Sequence, residues 1–336
     1  MSHVETDPDT GIRSTIGNTP LIRLDRLLPR PDVTVWAKLE YFNPGGSAKD
    51  RTAKALIDAA RRTGELRPGM SIIESSSGNL GMALAREASL GGWPFHCVVD
   101  PRVNQQAVAT MTALGAKVHH VTEPDPVTGD WLQARRSRVA ELLQEIPGSL
   151  SLDQYSNRAA FGAHADGTMT EVVEQLGHAP DLLLVAMSTT GTIGGCLRHL
   201  RRIGAATTTV GVDAEGSVLF GGCRGHRSLP GFGAGVLPEL ATESRPDAVD
   251  RVSDIDSVTG ARLLARREGI LPGASGGAVV TAALARAADL PVGSEMVLIL
   301  HDAGGAYLDT VYNDEWTRQT LGIDGAELEE RISTFP

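Results

Sequence analysis

The sequence has little cysteine, no long hydrophobic run and no excess of positive charge, and each deficit closes off a class of protein. Three cysteines, Cys97, Cys196 and Cys223, stand far apart in 336 residues. An odd number without metal-ligand spacing argues against a disulfide framework and a cysteine-held metal, so a cytoplasmic, reducing setting and no metal site are expected. No apolar stretch approaches the roughly 20 residues that cross a bilayer. The first twenty residues lack a basic start followed by an apolar run, so no secretory signal is expected. Lysine and arginine number 31 against 41 acidic residues, a formal net charge of −10. A chain this acidic is a poor partner for nucleic acid or an anionic membrane. Internal repeats and low-complexity tracts are also missing.

Glycine, by contrast, is abundant: 38 of 336 residues, where about 7% is usual. Glycine at that level suits many tight turns and close backbone–ligand approaches. The length fits two domains of roughly 100–200 residues. Short apolar runs predict strands over 35–40, 71–74, 95–100, 116–121, 182–188, 208–213 and 296–301. Most are apolar on successive residues, as strands covered on both faces are. Between them lie helical patterns. Ala53, Leu56, Ile57 and Ala60 recur at i, i+3, i+4, i+7, and Leu132, Val139, Leu142, Leu143 and Ile146 mark a second helix. The β-then-α rhythm predicts mainly parallel α/β sheets with helices on both faces. Gly221–Ser244 reads as one long loop, of the kind that is usually functional or mobile.

Four glycine-rich turns depart from ordinary αβ connections. Asn43-Pro44-Gly45-Gly46-Ser47-Ala48-Lys49-Asp50-Arg51 turns sharply into a helix with a lysine in its first turn. A lone lysine is ordinarily a solvated surface group. At the positive end of a helix and partly buried, its ammonium is disfavoured, which suits an amine nucleophile and general base. Glu74-Ser75-Ser76-Ser77-Gly78-Asn79-Leu80-Gly81 follows a strand and opens a helix. One serine there could simply be an N-cap; three in succession exceed what a cap requires and offer an anion hydroxyls and N–H groups. Ser188-Thr189-Thr190-Gly191-Thr192-Ile193-Gly194-Gly195 has the small hydroxylated residues of a phosphate cradle. It lacks the Gly-Lys-Ser/Thr ending of a nucleoside-triphosphate loop and the GxGxxG of a dinucleotide site, which counts against a dehydrogenase. Gly273-Ala274-Ser275-Gly276-Gly277 precedes an alanine-rich helix, and Ser275 could be no more than its cap.

In this order the segments resemble the fold-type II pyridoxal-phosphate enzymes, specifically the cysteine synthase / cystathionine β-synthase family, from Ile16-Gly17-Asn18-Thr19-Pro20-Leu21 to about Trp316. The resemblance implies two three-layer αβα domains with mainly parallel sheets, like the tryptophan synthase β chain. A smaller mobile domain would span 42–155 and carry the substrate-carboxylate loop. A larger cofactor domain would combine 12–41 with 156–325, leaving 1–11 and 326–336 as flexible tails. Pyridoxal 5′-phosphate is the implied cofactor, bound covalently by Lys49, the catalytic residue. Asn79 would bond its 3′-oxygen, Thr189, Thr190, Gly191 and Thr192 its phosphate, and Ser275 would face its pyridine nitrogen. Ser76, Ser77 and Gln154, the last in Asp153-Gln154-Tyr155-Ser156-Asn157, would hold the substrate carboxylate. Gly233 belongs to Gly231-Phe232-Gly233-Ala234-Gly235, which resembles the family's active-site loop. A homodimer acting on small amino acids follows from the same likeness.

The chain departs from the cysteine synthase pattern at Leu80, usually threonine, at Ser188 and Thr190, where glycines are common, and at Arg158, usually proline. Other segments resemble a narrower branch: Asp213-Ala214-Glu215-Gly216-Ser217, Leu229-Pro230-Gly231-Phe232-Gly233, and Tyr307-Leu308-Asp309 with Tyr312-Asn313-Asp314-Glu315-Trp316. That branch looks like the N-(2-amino-2-carboxyethyl)-L-glutamate synthases, which join O-phospho-L-serine to L-glutamate on the way to 2,3-diaminopropionate in siderophores and peptide antibiotics. A phosphate leaving group and a dicarboxylate nucleophile need cations. Arg158, Arg224 and Arg227 are the candidates, Arg224 foremost, although solvated arginines are the plainer reading. His164 and His301 read equally well as packing or surface histidines. Two alternatives stay open: a sulfur nucleophile, as in cysteine synthase or cystathionine β-synthase, and a non-catalytic regulatory paralogue.

Overall fold

The computed structural model describes residues 10–76 and 78–334. The chain begins with β1 (Leu21–Arg23) and β2 (Thr34–Leu39), then α1 (Lys49–Thr63), β3 (Ser71–Ser75), α2 (Asn79–Gly91), β4 (Phe95–Val99), α3 (Gln105–Ala113) and β5 (Lys117–His120). It continues through α4 (Trp131–Glu145), β6 (Ser149–Leu150), α5 (Ala159–Ala163), a π-helical turn (His164–Met169), α6 (Thr170–Leu176), β7 (Leu182–Ala186) and α7 (Gly191–Arg202). It closes with β8 (Thr208–Ala214), β9 (Ala248–Val252), α8 (Asp254–Glu268), α9 (Ala274–Ala287), β10 (Glu295–Leu300), α10 (Asp314–Leu321) and α11 (Gly325–Thr334). Every strand expected from an apolar run is present. The short strands β1, β6 and β9 gave no such signal.

The chain divides into two units. One comprises Met1–Ile16, described from Thr10 onward, with Lys49–Ala160; the other comprises Gly17–Ala48 and Phe161–Pro336. The sequence-based divisions fall elsewhere, at 42 and 155. Residues 12–16, expected in the larger domain, group with the smaller unit because Arg13 pairs with Asp58 at 2.6 Å and Glu87 at 2.9 Å.

The first unit holds a four-stranded, all-parallel sheet in the order β5-β4-β3-β6. Its strands alternate faces, so Phe95, Cys97 and Val99 pack with the buried side of α1 and α2, while Val98 and Ile73 pack under Val139 and Leu142 of α4. The second unit holds a six-stranded sheet in the order β1-β2-β10-β7-β8-β9, parallel except for β1. Leu182, Leu184 and Ala186 of β7 face one apolar cluster with α8 and α9; Leu183 and Val185 face another with α7. Burial on both faces is why these strands are apolar throughout.

The C-terminal segment expected as a flexible tail is instead ordered through Thr334. Leu328 and Ile332, one helical turn apart, anchor α11 in the main apolar cluster. Residues 1–9, 335 and 336 lie outside the described residues, as does Ser77.

Candidate active site

Lys49 is the first residue of α1 and is half-buried. The turn before it bends at Gly46, whose φ of +80° suits glycine. That turn is held by Gly46 N–H donating to Asn43 O (2.8 Å) and by Asn43 Nδ2 donating to Glu40 O (2.7 Å). Helix α1 forms because Ala53, Leu56, Ile57 and Ala60 share its buried face.

In the same unit β3 ends at Ser75 and α2 starts at Asn79, which is half-buried. Ser76 Oγ accepts the N–H of Gly81 at 2.9 Å. This serine therefore does the work of a helix cap as well as lining the loop. Gly81 is closely packed: a Cβ there would lie 2.7 Å from Met111 Sδ and 3.1 Å from Ser76 O. Ser77 lies outside the described residues. Leu80, where a hydroxyl is absent, turns into the apolar cluster. Gln154 is buried and its Nε2 donates to Ser75 O at 3.4 Å, so the structure does bring the Gln154 segment to the serine loop.

Sequence reasoning missed Glu74. Its buried carboxylate accepts Ser75 N–H at 2.9 Å, and its second oxygen has no hydrogen-bond partner. Burial, offset in part by the backbone of Ser75 and Asp153 and reinforced by the negative charge of Asp153, pushes its pKa up to about 7. The signal was an acid within a strand buried at every position.

In the second unit Thr189, Thr190 and Thr192 are all buried at the start of α7. Thr190 caps that helix with φ +65° and ψ 5°, a left-handed conformation that a β-branched residue rarely adopts. Its hydroxyl makes no capping bond and is buried without a hydrogen-bond partner. A group with acceptor oxygens at this helix N-terminus would satisfy it. Thr192 Oγ1 lies 3.3 Å from His164 Nε2, and His164 Nδ1 lies 3.0 Å from Thr168 Oγ1, so His164 is a buried packing residue of the π turn. Gly194 and Gly195 let α7 approach that turn; a Cβ on either would collide with Phe161 or His164.

Ser275 is the second residue of α9 and is buried. Gly233 N–H donates to Met187 O at 2.6 Å, which sets the 231–235 loop beside the threonine turn. Arg227 is half-buried, with Nη1 donating to Phe232 O of this loop at 3.4 Å. Arg224 is exposed and donates to Gly235 O at 2.6 Å. Arg158 is exposed, and His301 accepts Ala48 N–H through its carbonyl. Cys97 and Cys196 are buried and Cys223 is exposed.

A family model described as pyridoxal-phosphate dependent enzyme matches residues 12–302. The chain belongs to this family. Pyridoxal phosphate is accordingly its cofactor, and the residues present suit it: an amine on a helix's first turn, an unsatisfied threonine hydroxyl at another helix's N-terminus, and a buried serine on a third. Among relatives of this pyridoxal-phosphate enzyme, an N-(2-amino-2-carboxyethyl)-L-glutamate synthase of Ralstonia nicotianae is 43% identical over 304 residues, 90% of this chain and 89% of the relative. One of Cupriavidus metallidurans is 41% identical over 308 residues, 91% and 90%. The O-acetylserine dependent cystathionine β-synthase of Helicobacter pylori superimposes with a TM-score of 0.83 at 31% identity, covering 92% of this chain and 99% of that one. An O-ureido-L-serine synthase superimposes with 0.82 at 29%, covering 96% and 98%. The expected α/β fold with mainly parallel sheets is that of these enzymes.

Thr190→Gly tests the cradle. Relief of the left-handed strain, worth about 1–3 kcal/mol, exceeds the roughly 1 kcal/mol entropic cost of glycine. The cofactor-free protein is therefore expected to melt a few degrees higher, while pyridoxal phosphate binds about tenfold more weakly for want of one hydroxyl. Melting curves and cofactor titration check both; unchanged cofactor affinity would remove Thr190 from the phosphate site.

Proposed function

We propose that this enzyme joins O-phospho-L-serine to L-glutamate, releasing phosphate and forming N-(2-amino-2-carboxyethyl)-L-glutamate. The observation that carries the reading is the 41–43% identity, over about nine-tenths of both chains, to two synthases of that name. The bound cofactor supplies an electron sink for negative charge at the substrate Cα, and the protein selects the bond that breaks. Lys49 would hold the cofactor, Asn79 its 3′-oxygen, and Thr189, Thr190, Gly191 and Thr192 its phosphate. Ser275 would face the pyridine nitrogen, where a hydroxyl, unlike a carboxylate, does not favour protonation, and the chemistry supplied would then favour loss of a β-leaving group. Ser76, Ser77 and Gln154 fix the α-carboxylate and so aim the Cα–H bond. Such orientation is worth several kcal/mol. Freed from the cofactor once the substrate amine takes its place, Lys49 Nζ would take the Cα proton; phosphate would leave Cβ, the glutamate amine would add there and lose one proton, and Lys49 would return a proton to Cα. The two half-reactions predict ping-pong kinetics. Gly233 lines the substrate site, and Arg224 meets the anionic substrates. The enzyme acts as a cytoplasmic homodimer, and its product feeds 2,3-diaminopropionate synthesis for a siderophore or peptide antibiotic.

The test is mass spectrometry of products from O-phosphoserine, and separately O-acetylserine, offered glutamate, sulfide and homocysteine. Glutamate with O-phosphoserine is expected to be turned over with the highest kcat/KM, by at least about tenfold, a discrimination of roughly 1.4 kcal/mol. Sulfide as the far better acceptor would assign the chain to cysteine synthesis instead. Lack of turnover with every pair would favour the regulatory paralogue.

A further inference from the structure

The segment that follows β10 is wired to two of the chain's motif turns, all within the second unit. Ser47 pairs with Asp302 in an isolated antiparallel bridge, and Ala48 N–H donates to His301 O at 2.8 Å. On its other side Pro272 pairs with Ala303, Gly273 N–H donates to Asp302 O at 3.0 Å, and Gly304 N–H donates to Leu271 O at 2.7 Å. One strip of backbone thus holds the residues that lead directly into Lys49 and the residues that lead directly into Ser275.

Two tyrosines lock this strip. Tyr307 is buried, and its hydroxyl donates to Asp302 Oδ2 at 2.7 Å. Its ring lies over Gly273 so closely that a Cβ there would come 2.8 Å from Tyr307 Cε2 and 2.1 Å from Asp302 Oδ1. The same hydroxyl would be 3.4 Å from a Cβ at Gly231, in the loop that carries Gly233. Tyr312 donates from its hydroxyl to Pro272 O at 2.7 Å. Burial and the neighbouring Asp302 keep Tyr307 protonated, so it remains a donor. None of these side chains has a place in the chemistry above.

We propose that Asp302, Tyr307 and Tyr312 are positioning residues that fix the 272–274 turn and thereby the place of Ser275 against the cofactor ring; this rests on the assignment of Ser275 to the pyridine nitrogen. Asp302 does so through both its carbonyl, which holds Gly273, and its carboxylate, which holds Tyr307. Tyr312 pins the residue before. A hydroxyl that must meet a ring nitrogen needs such support, because a shift of a few tenths of an ångström weakens the contact.

The experiment compares Tyr307→Phe, Tyr312→Phe, Ser275→Ala and the double variant Tyr307→Phe/Ser275→Ala, all reconstituted with pyridoxal phosphate. Phenylalanine keeps the ring that packs on Gly273 and removes only the hydroxyl. Each tyrosine variant is expected to weaken cofactor binding about fivefold, the scale of one hydrogen bond. The absorbance maximum of the bound cofactor is expected to move in the direction seen in Ser275→Ala. In the double variant Tyr307→Phe should add less than about a twofold further change, because it acts through Ser275. If Tyr307→Phe does not fold, Tyr312→Phe, whose hydroxyl holds the same turn, and its double variant with Ser275→Ala carry the same comparison. A wild-type spectrum and affinity in the tyrosine variants, or a full additive effect on Ser275→Ala, would overturn the positioning role alone. An unchanged Ser275→Ala would instead overturn the placement of the cofactor, and this role with it.

Discussion

Lys49→Ala is expected to lose turnover by at least about 10³–10⁴-fold, because the function proposed above places both the proton transfers at Cα and the covalent hold on the cofactor on this one amine. The side chain belongs to the first residue of α1, and a tight turn bent at Gly46 delivers it there. The measurement has two arms. Wild-type protein reduced with borohydride should carry a mass increment on the peptide containing residue 49, and the variant should carry none. Steady-state rates with O-phosphoserine should fall together with that label. A reducible chromophore that persists in Lys49→Ala, with turnover intact, would move the chemistry to another residue and undo the assignment of every neighbour argued from it. Folding is not expected to suffer, since alanine is the best helix former and the buried face of α1 begins beyond Lys49.

Glu74→Gln is expected to make the protein more stable at pH 8 and to leave it nearly unchanged at pH 4. The folded-state pKa is about 7 against an ordinary value of 4.5, with burial as the main cause. Between those values the native state keeps a proton that the unfolded chain has lost. Native stability therefore falls as pH rises from 4.5 toward 7, and above 7 the full penalty remains. At about 1.4 kcal/mol per unit the cost is roughly 3–4 kcal/mol. Glutamine imitates the protonated acid: its oxygen can still accept Ser75 N–H, and it has no proton to lose. Unfolding followed at both pH values, on cofactor-free protein, should show a gain of about 1–3 kcal/mol at pH 8 only. Equal destabilisation at both would mean that the ionised carboxylate is what this site requires.

Much of this molecule is legible without coordinates. Runs such as LLLVA at 182–186 are apolar on both faces because helices cover both, and the two clusters that β7 feeds confirm that logic. Turns whose glycines and hydroxyls suit an anion announce themselves because that chemistry is local: a cap, a bend and a helix start occupy a few consecutive residues. Short edge strands such as β9 escaped, since few of their residues are buried. Helix α11 escaped because an acidic surface conceals a stripe of only two buried residues.

Local sequence therefore determined the α/β class, the family and the positions of the motif turns. Tertiary structure alone decided what each side chain meets. Ser76 accepts a helix N–H, Arg224 is turned onto Gly235 O, Glu74 is buried with one oxygen unmatched, and Tyr307 reaches back to the turn before Ser275. A motif records which groups are available over a few residues. Burial and hydrogen-bond partners depend on segments up to hundreds of residues apart, and only the packed chain brings those together.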